Sequence, residues 1–132
     1  MGEVQRANDE SIHIWGMLLS ALYVAAIFTV SSIPGSRLEI ISAYSYLLHI
    51  IEYAGLGFLL TTAVFRRYEA FYPYPVLSFA MAIAVCDEIY QSAVPLRTCS
   101  VLDVLADLLG AFLGIWIFAL IYEREFFYGH RD

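Results

Sequence analysis

The sequence predicts an all-α integral membrane protein, a four-helix bundle formed as a single domain over residues 1–132. Three observations predict it. The 132 residues are 61% apolar with a mean hydropathy of +0.69, and only 15% are charged, where soluble domains carry roughly 25%. The apolar residues gather in four runs, each near the ~20 residues that cross ~30 Å of hydrocarbon at a rise of about 1.5 Å per residue. Proline, glycine and arginine stand between the runs.

The first run, 13–33, ends at Pro34-Gly35. It follows a polar, acidic start and is long enough to span, so an uncleaved first helix is expected rather than a signal peptide. The second, 44–65, stops at Arg66-Arg67; the third, 74–94, is opened by Pro73 and Pro75 and closed by Pro95. Proline marks these boundaries because its φ is fixed and it has no N–H to donate. The fourth, 101–122, follows the loop that holds Arg97. Short connections imply antiparallel neighbours. Arg6, Arg66, Arg67, Arg124 and Arg131 fall on the side shared by both termini and the middle loop, and only Arg37 and Arg97 on the other. The positive-inside rule therefore predicts cytoplasmic termini and a multi-pass protein of the cell membrane.

The chain has no lysine, and its arginines form no stripe that would follow a phosphate backbone, which excludes nucleic-acid binding. The net charge of -6 says little about soluble partners, because five of the thirteen acids (Glu52, Asp87, Glu88, Asp103 and Asp107) lie in or beside apolar runs. Cys86 and Cys99 lack the CxxC spacing of a zinc or redox site. They read as a buried small residue and a loop thiol, and a disulfide requires the span end to fold Cys99 back to within ~7 Å of Cys86.

With this topology every helix delivers polar residues to one layer in the outer half of the bilayer. Ser31 and Ser32 close helix one; His49, Glu52 and Tyr53 lie near the start of helix two on one stripe; Asp87, Glu88 and Gln91 approach the end of helix three; Asp103 and Asp107 open helix four. An ionisable group at the bilayer centre costs roughly 2.5–3.5 kcal/mol on insertion scales, so such groups pair or serve a function. Asp87 and Glu88, adjacent in low dielectric, cannot both ionise cheaply without a cation. Arg97 is the expected partner, with a guanidinium suited to a two-pronged grip on a carboxylate. Ser100 is an expected cap of helix four, with Asp103 the acidic half of a capping box. Gly110 and Gly114, four apart, make a small-residue packing face, as do Gly55 and Gly57. Trp15, Tyr44, Tyr46, Phe126 and Phe127 fall near span ends, where an interfacial belt is the default reading.

The pattern His49-x-x-Glu52-Tyr53-x-x-Leu56, Asp87-Glu88-x-x-Gln91 and Arg97-x-x-Ser100-x-x-Asp103-x-x-x-Asp107-x-x-Gly110-x-x-x-Gly114 resembles the VanZ-like family of small integral membrane proteins. Ser31-Ser32 before Pro34 is similar to the serine-containing end of that family's first helix. The resemblance covers Trp15 to Gly114. It implies a cell-envelope context, since the namesake is associated with low-level resistance to the lipoglycopeptide teicoplanin. The acid at 107, where many members carry asparagine, makes the site more negative.

Three functions are open on these residues. The first is a membrane-embedded site that binds or modifies an envelope lipid or lipid-linked glycan, with His49, Glu52, Asp87, Glu88, Arg97 and Asp103 as catalytic candidates and Ser31, Ser32, Tyr53, Gln91, Ser100 and Asp107 as substrate-binding candidates. One arginine among several acids repels a bare phosphate, so an anionic lipid calls for a divalent cation on oxygen ligands; a neutral headgroup does not. The second is a small proton- or cation-coupled transporter. Against it, the cytoplasmic halves of the spans lack polar residues, and four helices form a small enclosure unless a homo-oligomer enlarges it. The third is an accessory scaffold whose polar network fixes the bundle.

Overall fold

The computed structural model describes residues 2–37, 45–65 and 73–122. These form four α-helices, α1 (Gly2–Ser31), α2 (Ser45–Val64), α3 (Tyr74–Gln91) and α4 (Val101–Ile121), with a short 3-10 turn at Gly35–Arg37. Among the described residues there is no strand. The all-α expectation holds, and each helix core coincides with an apolar run.

The ends differ from the expected ones for local reasons. α1 begins at Gly2 rather than 13, because the polar stretch ahead of Ile12 contains no proline or internal glycine to stop it, whereas apolarity reports only the membrane-length portion, Glu10–Ser31. α3 ends at Gln91 rather than 94. Its last turn tightens through Ala93 N–H to Tyr90 O and Val94 N–H to Gln91 O, the i→i+3 bonds that satisfy carbonyls at a helix end. Three helices, Glu10–Ser31 of α1, α2 and α4, are long and apolar enough to cross a membrane. α3 is not among them: in 18 residues it carries Asp87, Glu88 and Gln91.

The helices follow the ring order α1, α2, α4, α3, with α3 also touching α2 across the ring. The most extensive contact is between α2 and α4, and glycine makes it. A Cβ added to Gly114 would run into the Ala54 carbonyl; at Gly110, into the Ile50 carbonyl; at Gly57, into the Ala111 backbone. Small residues on both helices let the backbones meet directly. Gly55 serves a different neighbour, leaving room for the Tyr23 ring of α1. The core between these contacts holds Ile27, Tyr53, Leu56, Leu60, Val76, Ala80, Ile83, Ala84, Ala111 and Ile115. Leucines 18, 22, 47, 105 and 109, with Trp116, face outward, as lipid-facing side chains of a membrane bundle do.

At one end of the bundle two connections are tied together. Gly35 N–H donates to Pro95 O at 3.1 Å, and a Cβ at Gly35 would overlap the Leu96 carbonyl. Leu96 has φ 60, in the left-handed region that a side chain enters at a cost. Arg66, Arg67, Arg124 and Arg131, on which the orientation rests, lie outside the described residues, as do Tyr44, Phe126, Phe127 and the side chains of Arg6 and Arg37. Trp15 and Tyr46 are described, and both are exposed.

Candidate functional site

The C-terminal ends of α1 and α3 and the N-terminal ends of α2 and α4 meet at the end tied by Gly35 and Pro95, and the polar residues collect there. Asp107 is 0% exposed, Asp87 and Glu88 1%, Gln91 3% and His49 9%. Tyr53 and Ser31 are buried with them.

The contacts are specific. His49 Nδ1 lies 2.8 Å from Asp107 Oδ1, joining α2 to α4. Gln91 Nε2 donates to Asp87 Oδ2 at 2.7 Å within α3 and to Ser31 Oγ at 3.4 Å on α1. Ser100 N–H donates to Glu88 Oε2 at 2.6 Å. Ser100 Oγ in turn accepts from Asp103 N–H at 3.3 Å, which makes it the N-cap of α4 as expected. The acidic half of the capping box is not Asp103 but Glu88, reaching from α3 to the Ser100 N–H. The cap thus holds two helices together. Ser100→Ala is expected to cost about 1 kcal/mol, read as a lower midpoint of thermal unfolding in detergent.

Arg97 does not take the expected place. Among the described residues it forms no ion pair, and its Nε is buried without a hydrogen-bond partner. Its backbone lies in a tight turn, the Arg97 N–H donating to Val94 O directly after Leu96 enters the left-handed region, a bend that helix spacing alone does not anticipate. Arg97 remains within electrostatic range of Glu52, which also lies in range of His49, Asp87 and Asp107. Glu52 is half-buried. Ser32 stands apart from the layer: it is exposed, its hydroxyl donating to Phe28 O and paired with Tyr90 OH at 2.9 Å. Cys86 and Cys99 are free and exposed, so neither the buried-residue reading of Cys86 nor the disulfide is realised.

Sequence reasoning does not single out Tyr23. Its hydroxyl donates to Glu52 O at 3.0 Å, linking α1 to the polar stripe of α2. The available signal is a phenol in the middle of an apolar run, since a buried tyrosine hydroxyl needs an acceptor.

Five buried side-chain oxygens of this layer have no hydrogen-bond partner: Tyr53 OH, Asp87 Oδ1, Glu88 Oε1, Asp103 Oδ1 and Asp107 Oδ2. Native proteins seldom leave such groups unpaired, because each loses its hydration without replacement. One nitrogen of His49 and one carboxylate oxygen from each of Glu88 and Asp103 lie within 4.8 Å of one another. Among the described residues this is the donor set with the spacing to hold an ion.

The VanZ/LLP1 family model matches residues 20–122. The chain belongs to the VanZ/LLP1 family. The matched range begins inside α1 and ends just beyond α4, so it includes every residue of the layer. No curated protein and no solved structure matches the chain. Membership and the three span-length apolar helices together make this VanZ/LLP1 chain a membrane protein.

Proposed function

We propose that the polar layer is a binding site, in the outer half of the cell membrane of a multi-pass protein, for the headgroup of an envelope lipid or lipid-linked glycan. One observation carries this reading: four carboxylate oxygens and a phenol are buried without partners at the end where all four helices meet. A polar headgroup delivered from the adjoining bilayer supplies the missing donors while its chains stay in hydrocarbon, alongside the outward leucines of α2 and α4. In this reading His49, Glu52, Asp87, Glu88 and Asp103 are the groups available for proton transfer or coordination. Arg97, with an unpaired Nε, meets an anionic or carbonyl oxygen of the ligand, and Ser31, Tyr53, Gln91, Ser100 and Asp107 position it.

Transport has less support. Outside the layer the buried polar side chains among the described residues are Ser20 and Thr61, and the Thr61 hydroxyl is occupied by Gly57 O at 2.7 Å. No chain of polar groups continues toward the other end among the described residues.

The test is mass spectrometry of the lipids retained by detergent-purified protein. The parent is expected to enrich one envelope lipid class over its share of the membrane, and Asp87→Asn, at equal expression, to lose that enrichment. Retained lipids that mirror the bulk membrane in both proteins would remove the proposal. A proton or cation flux in reconstituted vesicles that Asp87→Asn abolishes would put transport in its place.

A further inference from the structure

We infer that His49, Glu88 and Asp103 form a binding site for one divalent transition-metal ion, Zn²⁺ or Mn²⁺ in preference to Mg²⁺. The site brings together three helices: His49 from α2, Glu88 from the end of α3 and Asp103 from the first turn of α4.

Three observations support it independently of the acidity of the cluster. The first is spacing: a histidine nitrogen and two carboxylate oxygens lie within 4.8 Å of one another, a separation that small side-chain shifts bring to a shared ion with bonds of about 2.0–2.2 Å. The second is the unused bonding capacity. Glu88 is 1% exposed, and while its Oε2 accepts from Ser100 N–H, its Oε1 has no partner; Asp103 Oδ1 is likewise buried and unpaired. The third is the orientation of the imidazole. Asp107 Oδ1 takes His49 Nδ1 at 2.8 Å, which leaves Nε2 as the nitrogen free to coordinate. A carboxylate behind the far nitrogen of a ligating histidine is the usual outer-shell arrangement of metal sites, fixing the tautomer and aiming the ring.

The donor chemistry selects the metal. Imidazole suits zinc and the two carboxylates also suit Mn²⁺, while Mg²⁺ demands near-ideal octahedral geometry and keeps its waters. Two carboxylates and a neutral imidazole leave a charge of -2, which one divalent ion balances. Three protein ligands also leave a coordination position open, the condition for a ligand oxygen or a water to bind the ion.

This goes beyond the lipid reading and is measured without it. The detergent-purified protein, stripped with a chelator and dialysed, is titrated with Zn²⁺, Mn²⁺ or Mg²⁺ alone, and bound metal is counted by inductively coupled plasma mass spectrometry. The expected result is one Zn²⁺ or Mn²⁺ per chain, with Mg²⁺ bound more weakly. His49→Gln, Glu88→Gln and Asp103→Asn should each abolish stoichiometric binding, and Asp107→Asn should weaken it by about 10–100-fold as an outer-shell change. Electron spin-echo spectroscopy of the Mn²⁺-loaded protein should show a nitrogen coupling that is absent in His49→Gln. Circular dichroism and gel filtration establish that each variant is folded, and the spectroscopic readout on the parent stands if a variant is not. Less than about a tenth of an ion per parent chain, an Mn²⁺ signal without nitrogen coupling, or full binding in folded Glu88→Gln would overturn the assignment. Loss of lipid enrichment with metal binding intact removes only the lipid reading.

Discussion

Alanine at Gly114 is expected to lower the stability of the bundle by about 1–3 kcal/mol, the range for overpacking a close contact, and valine there to leave little folded protein. The added Cβ would meet the Ala54 carbonyl oxygen, with Phe58 N at 2.7 Å and Ala54 C at 3.0 Å. All three are backbone atoms of α2, so no side chain can rotate away, and relief comes only by separating α2 from α4. That separation spreads beyond one residue, because Gly110 rests on the Ile50 backbone one turn earlier and Gly57 on Ala111. Gly55→Ala provides the internal comparison. Its Cβ meets the ring end of Tyr23, which can swing aside at the cost of the hydrogen bond to Glu52 O, so a smaller loss is expected. Thermal unfolding in detergent, followed by circular dichroism, checks the order. Equal midpoints for Gly114→Ala and the parent would show that the helices do not meet through this face.

Small residues are easy to see in a sequence, but their counterparts are not. The spacing of Gly110 and Gly114 marks a packing face on α4, while nothing marks Ile50, Ala54 and Phe58 as the backbone it packs against. The same division runs through the site. The depth of each polar residue follows from helix starts and the rise per residue, so the convergence of His49, Asp87, Glu88, Asp103 and Asp107 on one end is legible. So is the bond between Asp87 and Gln91, because an i, i+4 pair on one helix needs no knowledge of another. Pairing between helices depends on how each is rotated about its axis, and a one-residue error there turns a side chain by about 100°. His49 with Asp107 and Glu88 with Ser100 are therefore out of reach. Arg97 departs from its expected place for a third reason. It follows directly on Leu96 at φ 60, and leucine carries none of the glycine or asparagine signal by which such a turn is recognised.

His49→Ala in the metal-free protein is expected to be far more damaging than Asp107→Asn, although the two residues share one contact. Removing the imidazole strands Asp107, which is 0% exposed, takes away the one hydrogen bond its side chain makes among the described residues, and leaves both oxygens buried, since Oδ2 already lacks a partner. Breaking a buried pair from one side costs about 3–5 kcal/mol. Asparagine at 107 keeps an oxygen to accept from His49 Nδ1 and carries no charge, so its cost should stay near ~1 kcal/mol. The decisive variant replaces both residues, His49→Leu with Asp107→Leu. It removes the stranded acid together with its partner, and apolar replacement of a buried ion pair is often neutral or stabilising by about 1–4 kcal/mol. Its unfolding midpoint is expected to lie above those of the single variants His49→Leu and Asp107→Leu, whose separate losses should sum to more than the loss of the double, as for residues in contact. Additive losses would mean that the two side chains act separately. If the double variant matches or exceeds the parent in stability while binding neither metal nor lipid, the pair does not hold the bundle together, and its place at the centre of the polar layer is explained by what it binds.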